Sequence, residues 1–242
     1  RDGSVVIDDL TEEFGVINLC GPHARDVLQN VIDDDISNET LPFSSYADIR
    51  VAGHPVRAMR IGYVGELGWE MHMGRENMPA VYKALAEAGS QYDIADVGYR
   101  AIDSLRMEKG YLYWSSDISP DYNPFEAGLG FRVNMKKGDF IGRDALISIR
   151  ENGGPERKIA YFTLEKYMPV YGSEPIMREG RILDVTTSAN FGYTIGKPLV
   201  FGYLPVQEFE NRNFSVEAFG EVIPATRHDG PLYDPEMKKL KL

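Results

Sequence analysis

Cysteine is nearly absent from this 242-residue chain, and Cys20 is the only one. That excludes an internal disulfide and a cysteine metal cluster, and it favours a reducing compartment. Histidine is almost as scarce. His23, His54, His72 and His228 are scattered, so no metal site is expected. No apolar run nears the length of a membrane span, and no signal-like segment opens the chain. Positive charge is short as well: 26 Lys and Arg stand against 37 Asp and Glu, a net charge of −11. Most of the deficit lies at the front, where residues 1–40 hold ten acids against Arg1 and Arg25. This balance argues against a nucleic-acid partner. Asp33, Asp34 and Asp35 read as a solvated loop, and Lys238, Lys239 and Lys241 as a soluble tail. The chain opens Arg1-Asp2-Gly3 without an initiator Met, which points to a fragment or a processed product.

What is present is apolar material for a sizeable core, 43% of the residues. One stretch organises the rest: Arg60-Ile61-Gly62-Tyr63-Val64-Gly65-Glu66-Leu67-Gly68-Trp69-Glu70-Met71. Gly62, Gly65 and Gly68 allow positive φ and a close approach of a flat ligand. Tyr63 and Trp69 offer π faces to wall it. Glu70 begins a strand expected over residues 69–73. Its carboxylate suits a heteroaromatic ring whose edge presents paired N–H donors. Two readings stand side by side: such a ring site, or a plain hairpin turn carrying one charged residue.

In chain order, strands are expected at residues 4–10 and 15–20. A helix over 24–32 follows Gly21-Pro22, with Pro22 placed to open it. Strands at 47–51 and 56–61 join through Gly53-His54-Pro55. Met78, Val81, Tyr82 and Leu85 repeat at helical spacing up to Gly89, and a further helix spans 98–109. Residues 111–130 are aromatic and loop-like. A strand is expected at 131–135 and a short helix at 143–150. Beyond the boundary near 152–157 the period changes to two, with strands at 158–164, 181–187, 199–204, 213–219 and 221–227. The fold class is α+β: a mixed or antiparallel sheet with helices over 1–153, then a small antiparallel β-barrel over 154–242.

Several motifs fall away. Gly62-x-x-Gly65-x-x-Gly68 lacks the dinucleotide spacing and a following helix. Gly192 to Lys197 has one residue too few for a phosphate loop, and Pro198 replaces the Ser/Thr that would meet magnesium. No Gly-x-Ser-x-Gly elbow occurs. Asp103 and Arg106, spaced i,i+3, read as a surface or capping pair.

The remaining blocks carry a resemblance. Leu41-Pro42-Phe43-Ser44, Arg60-x-Gly62-Tyr63-x-Gly65-Glu66-x-Gly68-x-Glu70, Asp103-Ser104-Leu105-Arg106-x-Glu108, Asp117-Ile118, Pro124-x-Glu126-Ala127-Gly128-Leu129 and Asp139-Phe140-Ile141-Gly142 occur in order. Thr187-Ser188 and Gly196-Lys197-Pro198 follow. Together they resemble the glycine-cleavage T-protein (aminomethyltransferase) family, over roughly the second half of its module. Val64-Gly65-Glu66-Leu67-Gly68, Trp114 and Pro231-Leu232-Tyr233-Asp234-Pro235 look most like one branch, the C-terminal folate-binding half of dimethylglycine and sarcosine dehydrogenases.

The resemblance implies a tetrahydrofolate-binding, one-carbon-transfer region that forms 5,10-methylenetetrahydrofolate. It sits behind an FAD-dependent domain of the same polypeptide, and this chain itself binds no FAD. Glu70 matches the glutamate that accepts hydrogen bonds from the pterin ring. Tyr63 matches a folate-contacting tyrosine, and Tyr111 falls where some members place a tyrosine beside the folate. Ile102 replaces an arginine typical of the T-protein, which favours the dehydrogenase branch and leaves the folate-tail contact unassigned. The family's catalytic aspartate lies upstream of residue 1. No catalytic residue is therefore assigned here, and the chain alone is expected to be inactive. Alternatives are a free aminomethyltransferase working with a lipoyl protein, and a non-catalytic regulatory relative. The location implied is the cytoplasm of a bacterium or the mitochondrial matrix of a eukaryote.

Overall fold

A computed structural model of the protein describes residues 3–242; the opening Arg1-Asp2 lies outside the described residues. The chain packs as two compact units, residues 1–102 with Glu236–Leu242, and Asp103–Pro235.

The first unit holds a four-stranded antiparallel sheet. Its strands are β1 (Phe14–Cys20), β2 (Tyr46–Val51), β3 (His54–Met59) and β4 (Gly68–Gly74), in the order β1-β4-β3-β2. Two helices, α1 (Ala24–Gln29) and α2 (Met78–Gly89), cover one face. Alternation along the strands decides which side chains meet them. In β4, Trp69, Met71 and Met73 point to the helices and are buried, while Glu70 and His72 point the other way. Val27 and Leu28 of α1 and Val81 and Leu85 of α2 complete the core.

The glycines of the central stretch do unequal work. Gly65 takes a positive φ of 80°. Gly68 faces the neighbouring strand so closely that a Cβ would lie 2.4 Å from the Leu19 carbonyl oxygen. Gly62 has neither constraint.

The second unit is built around a closed six-stranded antiparallel barrel. Its strands are β5 (Arg157–Leu164), β6 (Pro175–Arg178), β7 (Arg181–Gly192), β8 (Lys197–Pro205), β9 (Asn213–Ala218) and β10 (Glu221–His228). The order around the barrel is β10-β5-β8-β7-β6-β9. Closure leaves no free edge. Phe162, Ile176, Val200, Val216 and Ile223 fill its interior. The helix α3 (Tyr99–Glu108) runs across the division between the units, and α4 (Arg143–Glu151) belongs to the second.

The α+β class, the helix-backed sheet and the barrel are as expected. Four local expectations need correction. Residues 4–10 form no strand, and Val5, Val6 and Ile7 are exposed: their alternation is too poor to make one buried face. Residues 131–135 hold only the end of a 3-10 turn, Gly130–Arg132. The four-residue β6 was too short to show a period, yet it completes the barrel. The basic C-terminal segment is not a free tail, since Leu240 is buried.

Candidate functional site

Glu70 lies midway along the central strand β4, opposite Asn18 of β1 and Met59 of β3. A strand paired on both sides is a rigid platform for a carboxylate. The side chain is 29% exposed and receives no hydrogen bond from the described residues. Its closest ionisable neighbour on that face is His72, two residues along, with Nε2 3.5 Å from Oε2. That His72 nitrogen is buried and has no hydrogen-bond partner among the described residues. A carboxylate so placed, with only the His72 nitrogen close to it, has acceptor capacity left for an external donor. His72 was not singled out by sequence reading, although its i,i+2 spacing from Glu70 on a strand was visible.

The same open face of the sheet carries a cavity of about 1050 Å³, lined among others by Phe14, Asp48, Arg57, Met59 and His72. Glu70 and Tyr63 are not part of its lining. Tyr63, half-buried, stands in the irregular turn before β4. Trp69 does not wall this face as the sequence suggested. It is 1% exposed and points into the core, because it precedes Glu70 by one residue and strand side chains alternate.

Tyr111 belongs to the second unit, at the end of α3. Its N–H donates to the Arg106 carbonyl at 2.8 Å, and its own carbonyl accepts from Arg106 Nη1 at 3.1 Å. Burial first, and then Asp234, push its phenol above the ordinary value. It is therefore a neutral hydroxyl at physiological pH.

Arg106 overturns the surface-pair reading of Asp103 and Arg106. Its side chain is 3% exposed. Nε donates to Asp103 at 2.8 Å, Nη1 to Asp117 at 2.7 Å and Nη2 to the Ser188 hydroxyl at 2.9 Å. Asp117 is fully buried and accepts also from Tyr113 N–H and from the Thr187 hydroxyl. Glu108, two residues on, accepts from the N–H groups of Thr194 and Ile195 at 2.7 and 2.9 Å. Three separate sequence blocks, Asp103 to Glu108, Asp117-Ile118 and Thr187-Ser188, thus form one polar network inside the second unit. They hold the aromatic loop after α3, where Tyr122 stacks on Tyr203 at 3.8 Å between ring centres.

Comparison with known proteins places this architecture. Residues 1–137 match the model of the GCVT N-terminal domain, and residues 157–234 that of the glycine cleavage T-protein C-terminal barrel domain. The chain belongs to the glycine cleavage T-protein family. Mitochondrial sarcosine dehydrogenase of Mus musculus is 40% identical over 242 residues, covering 96% of this chain and 26% of that protein. Mitochondrial dimethylglycine dehydrogenase of Mus musculus is 37% identical over 240 residues, covering 98% and 28%. The crystal structure of glycine cleavage system aminomethyltransferase T from Bartonella henselae superposes with a TM-score of 0.79 at 26% identity. That match covers 92% of this chain and 60% of the other. The chain spans about a quarter of the length of the two dehydrogenases. Among the described residues no helix is long and apolar enough to cross a membrane.

Proposed function

We propose that this chain is the tetrahydrofolate-binding, one-carbon-transfer region of a flavin-dependent dehydrogenase acting on an N-methylglycine-type amine. The observation that carries the reading is Glu70: a partly buried carboxylate, fixed on a central strand, with no hydrogen bond from the described residues. Paired N–H donors on a pterin edge match it, and a charge-assisted pair of this kind is stronger than a neutral one. The residues present therefore fit the folate ring. Bound tetrahydrofolate would supply the acceptor for the one-carbon unit, giving 5,10-methylenetetrahydrofolate. Tyr63, seven residues before Glu70, is its proposed companion. Tyr111 is kept as a folate-contacting candidate on the family resemblance alone.

The amine would be oxidised in a flavin domain elsewhere in the polypeptide, so FAD is not a ligand of these residues. The proposed module boundary stays near residues 152–157, giving a folate-domain part over 1–153 and a barrel domain over 154–242. In a eukaryote the protein would work in the mitochondrial matrix, in a bacterium in the cytoplasm. The likeness of fold to an aminomethyltransferase favours a second reading, a free aminomethyltransferase serving a lipoyl partner. Ile102, in place of the expected arginine, supports the dehydrogenase reading instead.

The test is the fate of the one-carbon unit in the intact protein turning over sarcosine or dimethylglycine with tetrahydrofolate present. Glu70→Gln should leave amine oxidation unchanged and divert product from methylenetetrahydrofolate to free formaldehyde. An unchanged product ratio would remove Glu70 from the site.

A further inference from the structure

His72 shares the open face of β4 with Glu70 and takes no part in the core beneath. Its Nε2 is buried and has no hydrogen-bond partner among the described residues. A ring nitrogen left in that state is costly, so it is expected to have a use. Glu70 supplies the one carboxylate close to it. Oε2 lies 3.5 Å from Nε2, longer than a formed hydrogen bond, and a small side-chain rotation closes the gap. An ionised carboxylate only accepts, so the imidazole must present Nε2 to it as an N–H.

The other groups around the pair are committed or carry no donor. Opposite His72 on β3 stands Arg57. Its guanidinium is held by Asp48 of β2, through Nε at 2.8 Å and Nη2 at 3.0 Å, and lies over the Tyr46 ring at 4.9 Å. Opposite His72 on β1 stands Val16, which has no polar side-chain atom. Opposite Glu70, Met59 of β3 has no donor and Asn18 of β1 is exposed to solvent. A carboxylate on a rigid strand still turns about its terminal bond, whereas a ring with two parallel N–H donors needs it in one plane. A donor at the flank of Oε2 removes that freedom and leaves a lone pair on each oxygen for the ring.

We propose that His72 is the positioning residue of the Glu70 site: its Nε2–H, donating to Oε2, fixes the plane in which the carboxylate meets the paired N–H groups of a bound heteroaromatic ring. The inference deepens the folate reading and rests on it. It gives His72 no contact with the ligand of its own; the imidazole acts through Glu70.

The test is a calorimetric titration of the intact parent protein with 5-formyltetrahydrofolate. Wild type, His72→Phe, His72→Gln, Glu70→Gln and the double variant of His72→Phe with Glu70→Gln are compared. His72→Phe keeps a ring and loses the donor, and should weaken binding about tenfold or more, the effect of losing a hydrogen bond to a charged group. His72→Gln, whose amide N–H reaches the same oxygen, should bind nearly as the wild type does. In the Glu70→Gln background His72→Phe should add little, because a positioning residue acts only through the group it positions. Wild-type affinity in His72→Phe would overturn the proposal. So would equal losses in His72→Phe and His72→Gln, which would make ring shape rather than the donor responsible, and so would losses that simply add in the double variant. A wild type that does not bind, or a Glu70→Gln protein that binds as tightly as the wild type, is a distinct result: it removes the folate reading, and this inference with it. Should His72→Phe not fold, His72→Leu takes its place with the same expectations.

Discussion

Glu70 and His72 stand on one face of β4 with Oε2 and Nε2 3.5 Å apart, and neither atom is hydrogen-bonded to a described residue. An acid with a structural duty would be tied into the fold by donors; this one is not. Glu70→Gln should therefore change stability by less than about 0.5 kcal/mol, the range of substitutions away from buried networks. Chemical denaturation of the variant checks this. A loss of several kcal/mol would give Glu70 a structural role instead of a ligand-binding one.

Arg106 is the opposite case. Its guanidinium joins Asp103, Asp117 and Ser188 in a buried network. Arg106→Met leaves Asp117 as an uncompensated buried charge, a loss of about 3–5 kcal/mol. Arg106→Lys recovers little of it, because an ammonium cannot reproduce the fork. The exposed pair Arg57 and Asp48 is the control. Asp48→Ala should leave the urea midpoint where it is, since water and salt screen such a pair.

Gly68 and Gly62 separate two kinds of glycine. A methyl group at 68 would lie 2.4 Å from the Leu19 carbonyl oxygen, so β1 and β4 must move apart. Gly68→Ala should cost about 1–3 kcal/mol, as overpacking does. At 62 the nearest atom to such a methyl is the Glu66 carbonyl oxygen, at an ordinary 3.7 Å. Gly62→Ala should be neutral or slightly stabilising, through a less flexible unfolded chain. Thermal melts of the two variants compare them directly.

His228 gives the barrel a pH dependence. Burial, then Lys197, Arg212 and Arg227, push its imidazole below the ordinary 6.5, while its Nε2 lies 2.9 Å from the Thr163 hydroxyl. A lowered folded value means that the unfolded chain takes up the proton first. The contribution is full above pH 6.5 and falls away as the pH drops from there through the folded value. His228→Gln should flatten that part of the stability curve. A slope that persists unchanged in the variant would assign it to other groups.

Much of this architecture was legible because it rests on period. Trp69, Met71 and Met73 alternate with Glu70 and His72, so β4 and its two faces follow from the order of residues. The barrel strands announced themselves similarly, apart from β6, whose four residues Pro175–Arg178 hold no full alternation. Partners were not legible. Asp103 and Arg106 show only their i,i+3 spacing, and nothing local says that Asp117 and Ser188 close over them from 11 and 82 residues away. Trp69 was misassigned for a related reason: an aromatic beside glycines suits a ligand wall or a core equally well until the strand phase is fixed. Arg25 and Arg60 both donate to the main-chain oxygen of Leu242, at the far end of the sequence and beyond the reach of any local pattern.

The most direct measurement is a calorimetric titration of the intact parent protein with a stable reduced folate, wild type beside Glu70→Gln. One carboxylate oxygen then becomes a donor facing the N–H edge of the ring. The expected result is binding by the wild type and a loss of about 1–3 kcal/mol in the variant, the cost of a polar group left without its partner. Equal affinity in the two proteins would contradict the assignment of Glu70, and with it the folate site.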